Sequence, residues 1–406
     1  MPFKYDLLLK NGLLLDPTQN INSLSDVAFS KGKVATISNN IPEIDSEKII
    51  DVKGNIITPG LIDIHGHYFE HIVPFATTAD SVCLPNGVTT TMDAGSSGWT
   101  HFDGFKNFII EQQQTRIMAL VNLSALGMMA SKRNMGDTFG PTIGISGGPS
   151  TMLNPERVGE LQDLRFAQVE EAVRCIRDNP NVALGVKIRL DHDVSGESNV
   201  IPALERARTV ADATDSFMMV HVARIPIPLA KVFEYLNPGD IVTHIFHSSD
   251  NNILDNKGNV RTEVKEAKDK GIIFDIGADR KNFGINLSKS AIEQNILPST
   301  LSSDITKIRP GAEIIYTLPE VMSLYMALGM SLEEVIECST KTSAKAIRQE
   351  NIIGTLKVGA IGDAAILKIE SGSFSYSDGE EYNITANQRL VPKMTIKDGK
   401  VWEYNQ

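Results

Sequence analysis

The chain has 406 residues, of which 42% are apolar and 22% charged, and its formal net charge is -11 at pH 7. This composition describes a globular protein long enough for two or three ordinary domains or one large barrel with additions, and it argues against broad nucleic-acid binding and against a polybasic membrane anchor. Met1 to Lys10 carries no charged leader with an apolar run behind it, no stretch reaches the roughly 18 apolar residues of a membrane helix, and Cys83, Cys175 and Cys338 make neither a disulfide framework nor a C-x-x-C site, so a cytoplasmic protein is expected.

Residues 1–58 hold short apolar runs broken by turn pairs. Tyr5 to Leu9 precedes Asn11-Gly12, Leu13 to Leu15 follows, Val27 to Phe29 precedes Lys31-Gly32, and Val34 to Ile37 and Ile49 to Val52 complete the set. That rhythm predicts a small antiparallel sheet. From about residue 60 it changes to alternation. Gly60 to His67, Gly87 to Gly95, Thr115 to Leu123, Val182 to Leu190, Ser216 to Ala223, Asp240 to His247, Gly271 to Ile276 and Ile296 to Leu301 read as strands. Amphipathic stretches at Val158 to Ile176, Ile201 to Ala213, Val260 to Lys270 and Asn286 to Gln294 read as helices between them. Eight such units predict an α/β fold, a (β/α)8 TIM barrel, rather than an open doubly wound sheet.

Ser124 to Pro155 interrupts this pattern with a long connection containing Gly127, Gly136, Gly140, Gly144, Gly147 and Gly148. A connection of that length is expected to be functional or disordered, and on a barrel it emerges on the face that carries chemistry, as part of the active-site wall. Helices at Thr317 to Met330 and Ser331 to Arg348 then give way to strands at Ala365 to Ile369, Val391 to Ile396 and Val401 to Tyr404, with a Ser/Gly/Tyr-rich turn region inside. Both chain ends therefore look alike. The economical arrangement is one small β-sandwich domain built from residues 1–58 and 351–406, with the barrel of residues 59–350 inserted into it.

Chemistry-bearing residues fall at the ends of these strands. In Ile62-Asp63-Ile64-His65-Gly66-His67 the two imidazoles are two apart, so extended backbone points them to one face, where they can share a metal ion. His221 ends the strand from Ser216, His244 ends the one from Asp240, and Asp304 follows the last strand after Ser302-Ser303. Each of these alone is equally a core histidine or a satisfied carboxylate, but barrel strand ends converge on one site. Lys187 lies near the end of the fourth strand and faces the same interior. A bare ammonium beside metal ions would be repelled and poorly solvated there.

D-x-H-x-H after strand one, lysine after strand four, histidines after strands five and six and aspartate after strand eight together resemble the amidohydrolase superfamily. Pro59-Gly60-Leu61-Ile62-Asp63 and the segment Gly354 to Ala364 extend the likeness over nearly the whole chain. The resemblance implies that His65, His67 and Asp304 hold the more buried of two divalent ions, expected to be zinc, and His221 and His244 the other. A carbamate formed from carbon dioxide on Lys187 would bridge them. It further implies hydrolysis: the ions acidify a bridging water so that hydroxide is available near neutral pH, and Asp304 passes its proton to the leaving amine or alcohol.

Within the superfamily the chain is most similar to the deacetylase-like branch, whose members have been labelled dihydroorotase or adenine deaminase. Lys187-Ile188-Arg189 and His221-Val222-Ala223-Arg224 are consistent with it. The expected reaction is deacetylation of a small N-acetyl or O-acetyl α-substituted carboxylic acid. Arg224 is the candidate for binding the substrate carboxylate, or else closes its loop by a salt bridge. Arg189 holds either substrate or a buried acid, and His71 either donates to substrate or caps its loop. A cyclic amidase of dihydroorotase or hydantoinase type is the alternative, followed by an adenine deaminase, and a catalytically silent scaffold is the non-enzyme alternative. No nucleic-acid or membrane partner is expected, and a homo-oligomer is plausible for the superfamily.

Overall fold

Seven strands pair side by side in parallel, in sequence order, in a computed structural model that describes residues 3–130, 159–279, 282–307, 316–379 and 382–403. Before them come the chain-end strands β1 (Tyr5–Asp16), β2 (Ile21–Ser30), β3 (Lys33–Ser38), β4 (Ser46–Asp51) and β5 (Ile56–Pro59). The seven are β6 (Leu61–Gly66), β7 (Val88–Asp93), β8 (Arg116–Asn122), β9 (Ala183–Arg189), β10 (Phe217–His221), β11 (Ile241–Thr243) and β12 (Ile273–Asp275). Parallel bridges from Asp275 to Thr300 and from Gly66 to Ile305 seat the segment 300–305 between β12 and β6 and close the ring. The expected eighth strand therefore lies later than Ile296 to Leu301 and is held by isolated bridges rather than a full ladder.

Alternation along these strands sorts two cores. Met218, Val220 and Val242 face outward against the helices, while Ile62, Ile64, Met92, Met118, Leu120, Phe217, Met219 and Ile241 fill the barrel interior, stoppered by Ala344, Ile347 and Ile353. A strand of period two places its last inward residue where the apolar filling stops, and there the polar groups begin.

The helices match the apolar periodicity with shifted ends. Val200–Ala213 buries Val200, Ala203, Leu204, Ala207, Val210 and Ala211, a stripe at three- and four-residue spacing. Thr317 with Glu320 and Ser331 with Glu334 form capping boxes that start Leu318–Ala327 and Leu332–Cys338. The helix expected to start at residue 158 begins only at Val169 and runs to Asp178, because residues 164–166 form a short 3-10 turn capped by Asp163. The single helix expected from Ser331 to Arg348 is two, since Thr340 leaves helical geometry and turns its hydroxyl back on Ile336 O at 2.6 Å. Most of the long 124–155 connection lies outside the described residues.

Strands β13 (Ala364–Ser377), β14 (Asn383–Lys397) and β15 (Lys400–Val401) join β1 to β5 in one eight-stranded sheet. It wraps a separate apolar cluster that includes Leu7, Leu9, Val27, Phe29, Ile57, Leu356 and Ile366, forming the sandwich beside the barrel. Its pairing is mixed rather than antiparallel: β1 runs parallel to both β4 and β5. Asn11-Gly12 is no turn but a bulge within one long β1, with Asn11 at φ 62°. Likewise the Ser/Gly/Tyr-rich stretch forms the outer half of the β13–β14 hairpin instead of a turn region.

Candidate metal centre

At the end of β6 the register against β7 slips between Asp63 and Gly66. Ile62 and Ile64 already point inward, so unbroken alternation would send His65 out; the irregularity brings both His65 and His67 to the interior. Asp304 meets them from the 300–305 segment, its Oδ1 lying 3.3 Å from His65 Nε2 and 3.0 Å from His67 Nε2. These three buried groups offer one ligand atom each, all within 4.8 Å of one another, and can hold a metal ion. His244 Nε2 lies 3.7 Å from Asp304 Oδ2, and the His244 ring packs 5.0 Å from His65 and 4.3 Å from His221.

The hydrogen bonds settle which nitrogens are bare. Gly277 O can only accept, so His244 Nδ1, at 2.8 Å from it, carries the proton and Nε2 is a lone pair. Thr243 donates its hydroxyl to Asp275 Oδ2 at 2.7 Å and must therefore accept from His65 Nδ1 at 2.8 Å, which again leaves Nε2 bare. His67 Nδ1 is paired with Ser96 Oγ at 2.9 Å. Imidazoles tied at Nδ1 and open at Nε2 are the form a divalent metal binds, with the tie fixing ring orientation. His244 Nε2, buried and with no hydrogen-bond partner among the described residues, fits such an ion.

Electrostatics point the same way. Burial, with help from Lys187, lowers His65 well below its ordinary range; burial, His221 and Lys187 do the same to His244. Burial brings His67 down to about 4 and His221 to about 3, against the upward pull of nearby carboxylates. All four rings are thus neutral near pH 7. Lys187 is only 1% exposed, its Nζ contacts Met219 Sδ at 3.2 Å, and burial lowers its amine to about 8. Gly95 makes room for it: a Cβ there would stand 2.6 Å from Lys187 Cβ.

Two of the clustered residues and two candidate substrate contacts carry backbone strain. His244 (φ 62°), Asp304 (φ 50°), Arg224 (φ 57°) and His71 (φ 70°) all occupy the left-handed region, at about 1–2 kcal/mol each for a residue with a side chain. Gly277, also left-handed at φ 54°, permits the His244 ring to lie against it, where a Cβ would come within 2.6 Å of the ring.

His65, His67, Lys187, His221, His244 and Asp304 are thus brought together at one end of the barrel. Arg224, partly exposed, donates to Asp191 Oδ2 at 3.1 Å. Arg189 is buried with its Nη1 3.4 Å from Glu160 Oε1, and Asn122 donates to the other Glu160 oxygen at 3.2 Å. His71 is exposed on the turn after β6, and no hydrogen bond or ion pair found among the described residues ties it to the cluster. Sequence reasoning missed Asp191, whose Oδ1 lies 2.6 Å from His221 Nε2, and His247, a buried imidazole tied to Ser249 at 2.7 Å. It also missed Asp63 as the clip between β6 and the Asp304 segment. Only position flagged these: Asp191 stands just past a strand end and four residues beyond Lys187.

Closed parallel barrel, buried His-His-Asp group and neutral convergent imidazoles together make a buried site that could hold a divalent metal ion. No family model matches the chain. A protein of Enterococcus faecalis named deacetylase is 26% identical over 402 residues, covering 98% of this chain and 99% of its own. A solved adenine deaminase superposes with TM-score 0.85 at 25% identity, covering 98% of this chain and 100% of that one. A solved dihydroorotase gives 0.83 at 25%, with 98% of each covered. The resemblance to the deacetylase-like branch of the amidohydrolase superfamily stands on these relatives.

Proposed function

We propose that the chain hydrolyses an acetyl amide or ester of a small α-substituted carboxylic acid at a two-metal centre. In this reading His65, His67 and Asp304 hold one ion, expected to be zinc, His221 and His244 hold the other, and Lys187 carries a carbamate between them. The observation that carries it is Lys187: a fully buried amine among four neutral imidazoles, with a thioether sulfur as its hydrogen-bond acceptor. Its lowered basicity, about 8, leaves a usable fraction as free amine at neutral pH. That neutral amine would attack carbon dioxide: an N–C bond forms as one C–O π bond opens, one proton leaves the nitrogen, and the neutral amine becomes an anionic carbamate that could serve as a metal ligand.

When bound, the metal supplies an acidified water and polarises the scissile carbonyl. Asp304 accepts the water proton and delivers it to the leaving nitrogen or oxygen. Arg224 binds the substrate carboxylate: its contact with Asp191 uses one of five N–H donors, and its side chain is 36% exposed. Asp93, accepting from Ser96 N at 2.7 Å and Tyr68 N at 2.8 Å, holds the loop whose Ser96 orients His67. The interior position of these groups excludes bulk water from the reacting carbonyl.

The likeness to dihydroorotase supports a second reading, a cyclic amidase using the same residues. A substrate panel separates them: N-acetyl and O-acetyl derivatives of both enantiomers of small α-substituted acids, against dihydroorotate, hydantoins and adenine, with metal-only controls. Turnover of the acetyl compounds above those controls is expected, and Lys187→Ala should lose it. No acetyl turnover alongside ring opening of dihydroorotate or a hydantoin would replace the deacetylase reading with the second one.

A further inference from the structure

We propose that His247 is a substrate-binding residue that selects for an acidic substrate, its Nε2–H donating to the substrate carboxylate beside Arg224. This inference rests on the reading above in which Arg224 binds that carboxylate. His247 follows His244 by one turn of chain, its backbone N donating to His244 O at 3.1 Å. The loop it belongs to, after β11, is laid against the loop that carries Arg224: Asn251 donates its side-chain amide to Ile225 O at 3.1 Å. On the other side, His192 N approaches Arg224 O at 3.5 Å, at the start of the short helix His192–Ser195 that Asp191 precedes. Burial lowers the basicity of His247 to about 4, with Asp191 drawing it up and Arg224 pressing it down, so both charges act on the ring.

The imidazole of His247 is fully buried yet only half satisfied. Nδ1 is paired with Ser249 Oγ at 2.7 Å, whereas Nε2 has no hydrogen-bond partner among the described residues. An imidazole buried for packing alone would leave that second hydrogen bond unmade at a cost in stability, and a ligand that completes it recovers the cost. Near pH 7 the ring is neutral with a single proton, and the Ser249 hydroxyl can donate or accept. When Ser249 donates to Nδ1, the proton sits on Nε2, which then presents an uncharged donor. An imidazole N–H and a guanidinium together suit a carboxylate, whose two oxygens accept from both. The amide of the same acid would turn its NH2 towards one of these donors, so the pair separates acid from amide.

The test compares acids with their own amides. Full-length wild type, His247→Asn and His247→Gln, loaded with zinc under carbon dioxide, are assayed for acetate release from both enantiomers of N-acetylalanine and of its amide, and for ring opening of dihydroorotate and its amide. Asparagine can keep the Ser249 bond but ends short of Nε2, while glutamine reaches that position with an N–H donor. His247→Asn should lower the acid-over-amide ratio of kcat/KM about tenfold, mainly through KM, and His247→Gln should restore much of it. Equal losses on acid and amide, or a wild-type ratio in His247→Asn, would show that His247 only packs, and the deacetylase reading would still stand on the acetate released. Dihydroorotate opened with the expected pattern of loss, and no acetate released, would retire the deacetylase reading and keep His247. A wild type that prefers neither acid, turnover of none of the four compounds included, overturns the inference.

Discussion

Four neutral imidazoles around one buried amine make the site a store of unfavourable ionisation, and this has a definite pH signature. His67 titrates near 4 and His221 near 3 in the folded chain, whereas an unfolded histidine titrates near 6.5. Between about pH 6.5 and 4 the unfolded state therefore binds protons that the folded state refuses. Stability from these residues is complete above about 6.5 and falls as pH drops through that window. Lys187 acts at the alkaline side with a matching sign: with its folded value near 8, stability rises between pH 8 and about 10.4, where only the unfolded amine is still charged. Urea unfolding of metal-free protein at pH 7, 6 and 5 should show a falling midpoint, with a shallower fall in His67→Asn. Equal slopes for the two proteins would show that His67 is protonated as readily in the fold as outside it.

The element that positions Asp304 is the least regular in the barrel, and Asp63 is what holds it. Asp63 Oδ1 accepts from Ser303 N at 3.1 Å and His65 N at 3.3 Å, and Oδ2 accepts from the Ser303 hydroxyl. One buried carboxylate thus ties β6 to the 300–305 segment across the seam that closes the ring. Asp63→Ala leaves those donors unpaired and should destabilise the fold by roughly 2–3 kcal/mol. Its more telling effect should be a weakened His65/His67/Asp304 ion, read as lower zinc affinity with His221 and His244 intact; unchanged affinity would show that the bridges alone hold the seam. This element also marks where sequence reading stops. The seven laddered strands were legible because apolar runs fill the interior and its outer face, and the histidines at their ends followed from that. The eighth was not: Thr300 and Ser302 are polar because they serve Asp275, and Ser303 because it serves Asp63, so a search for apolar runs ends at Leu301. Nor could Asn11-Gly12 be told from a turn, since a bulge asks for the same positive φ. Asp191 looked like any helix-capping aspartate, and only its inward orientation separates it.

At the scale of the whole molecule, the chain leaves the end sheet at Gly60 and returns at Asp363, and those two points touch: Gly60 N donates to Asp363 O at 2.8 Å. The Asp363 side chain binds both halves, accepting from Arg116 at the start of β8 (2.8 Å), from Lys397 at the end of β14 (3.2 Å) and from Asp398 N (2.8 Å). Arg116 starts the strand whose far end, Asn122, reaches the site, about 20 Å away at the rise of an extended chain. The main apolar cluster is also continuous across the junction, since Leu15, Ile56, Ala365, Leu367 and Leu390 pack with barrel residues. Sheet and barrel should accordingly unfold together, in one calorimetric transition. Asp363→Ala strands two cations at this joint; Arg116 is partly exposed and Lys397 keeps Asp398, so the loss should be roughly 2–4 kcal/mol, at the lower edge of that for a fully buried pair. Because the joint lies at the opposite end of the barrel from the ligands, metal content should stay at the wild-type level. A variant that unfolds in two separate transitions would mean the sheet and barrel are held together chiefly by Asp363; one that loses metal without losing stability would mean the joint reaches the site through β8.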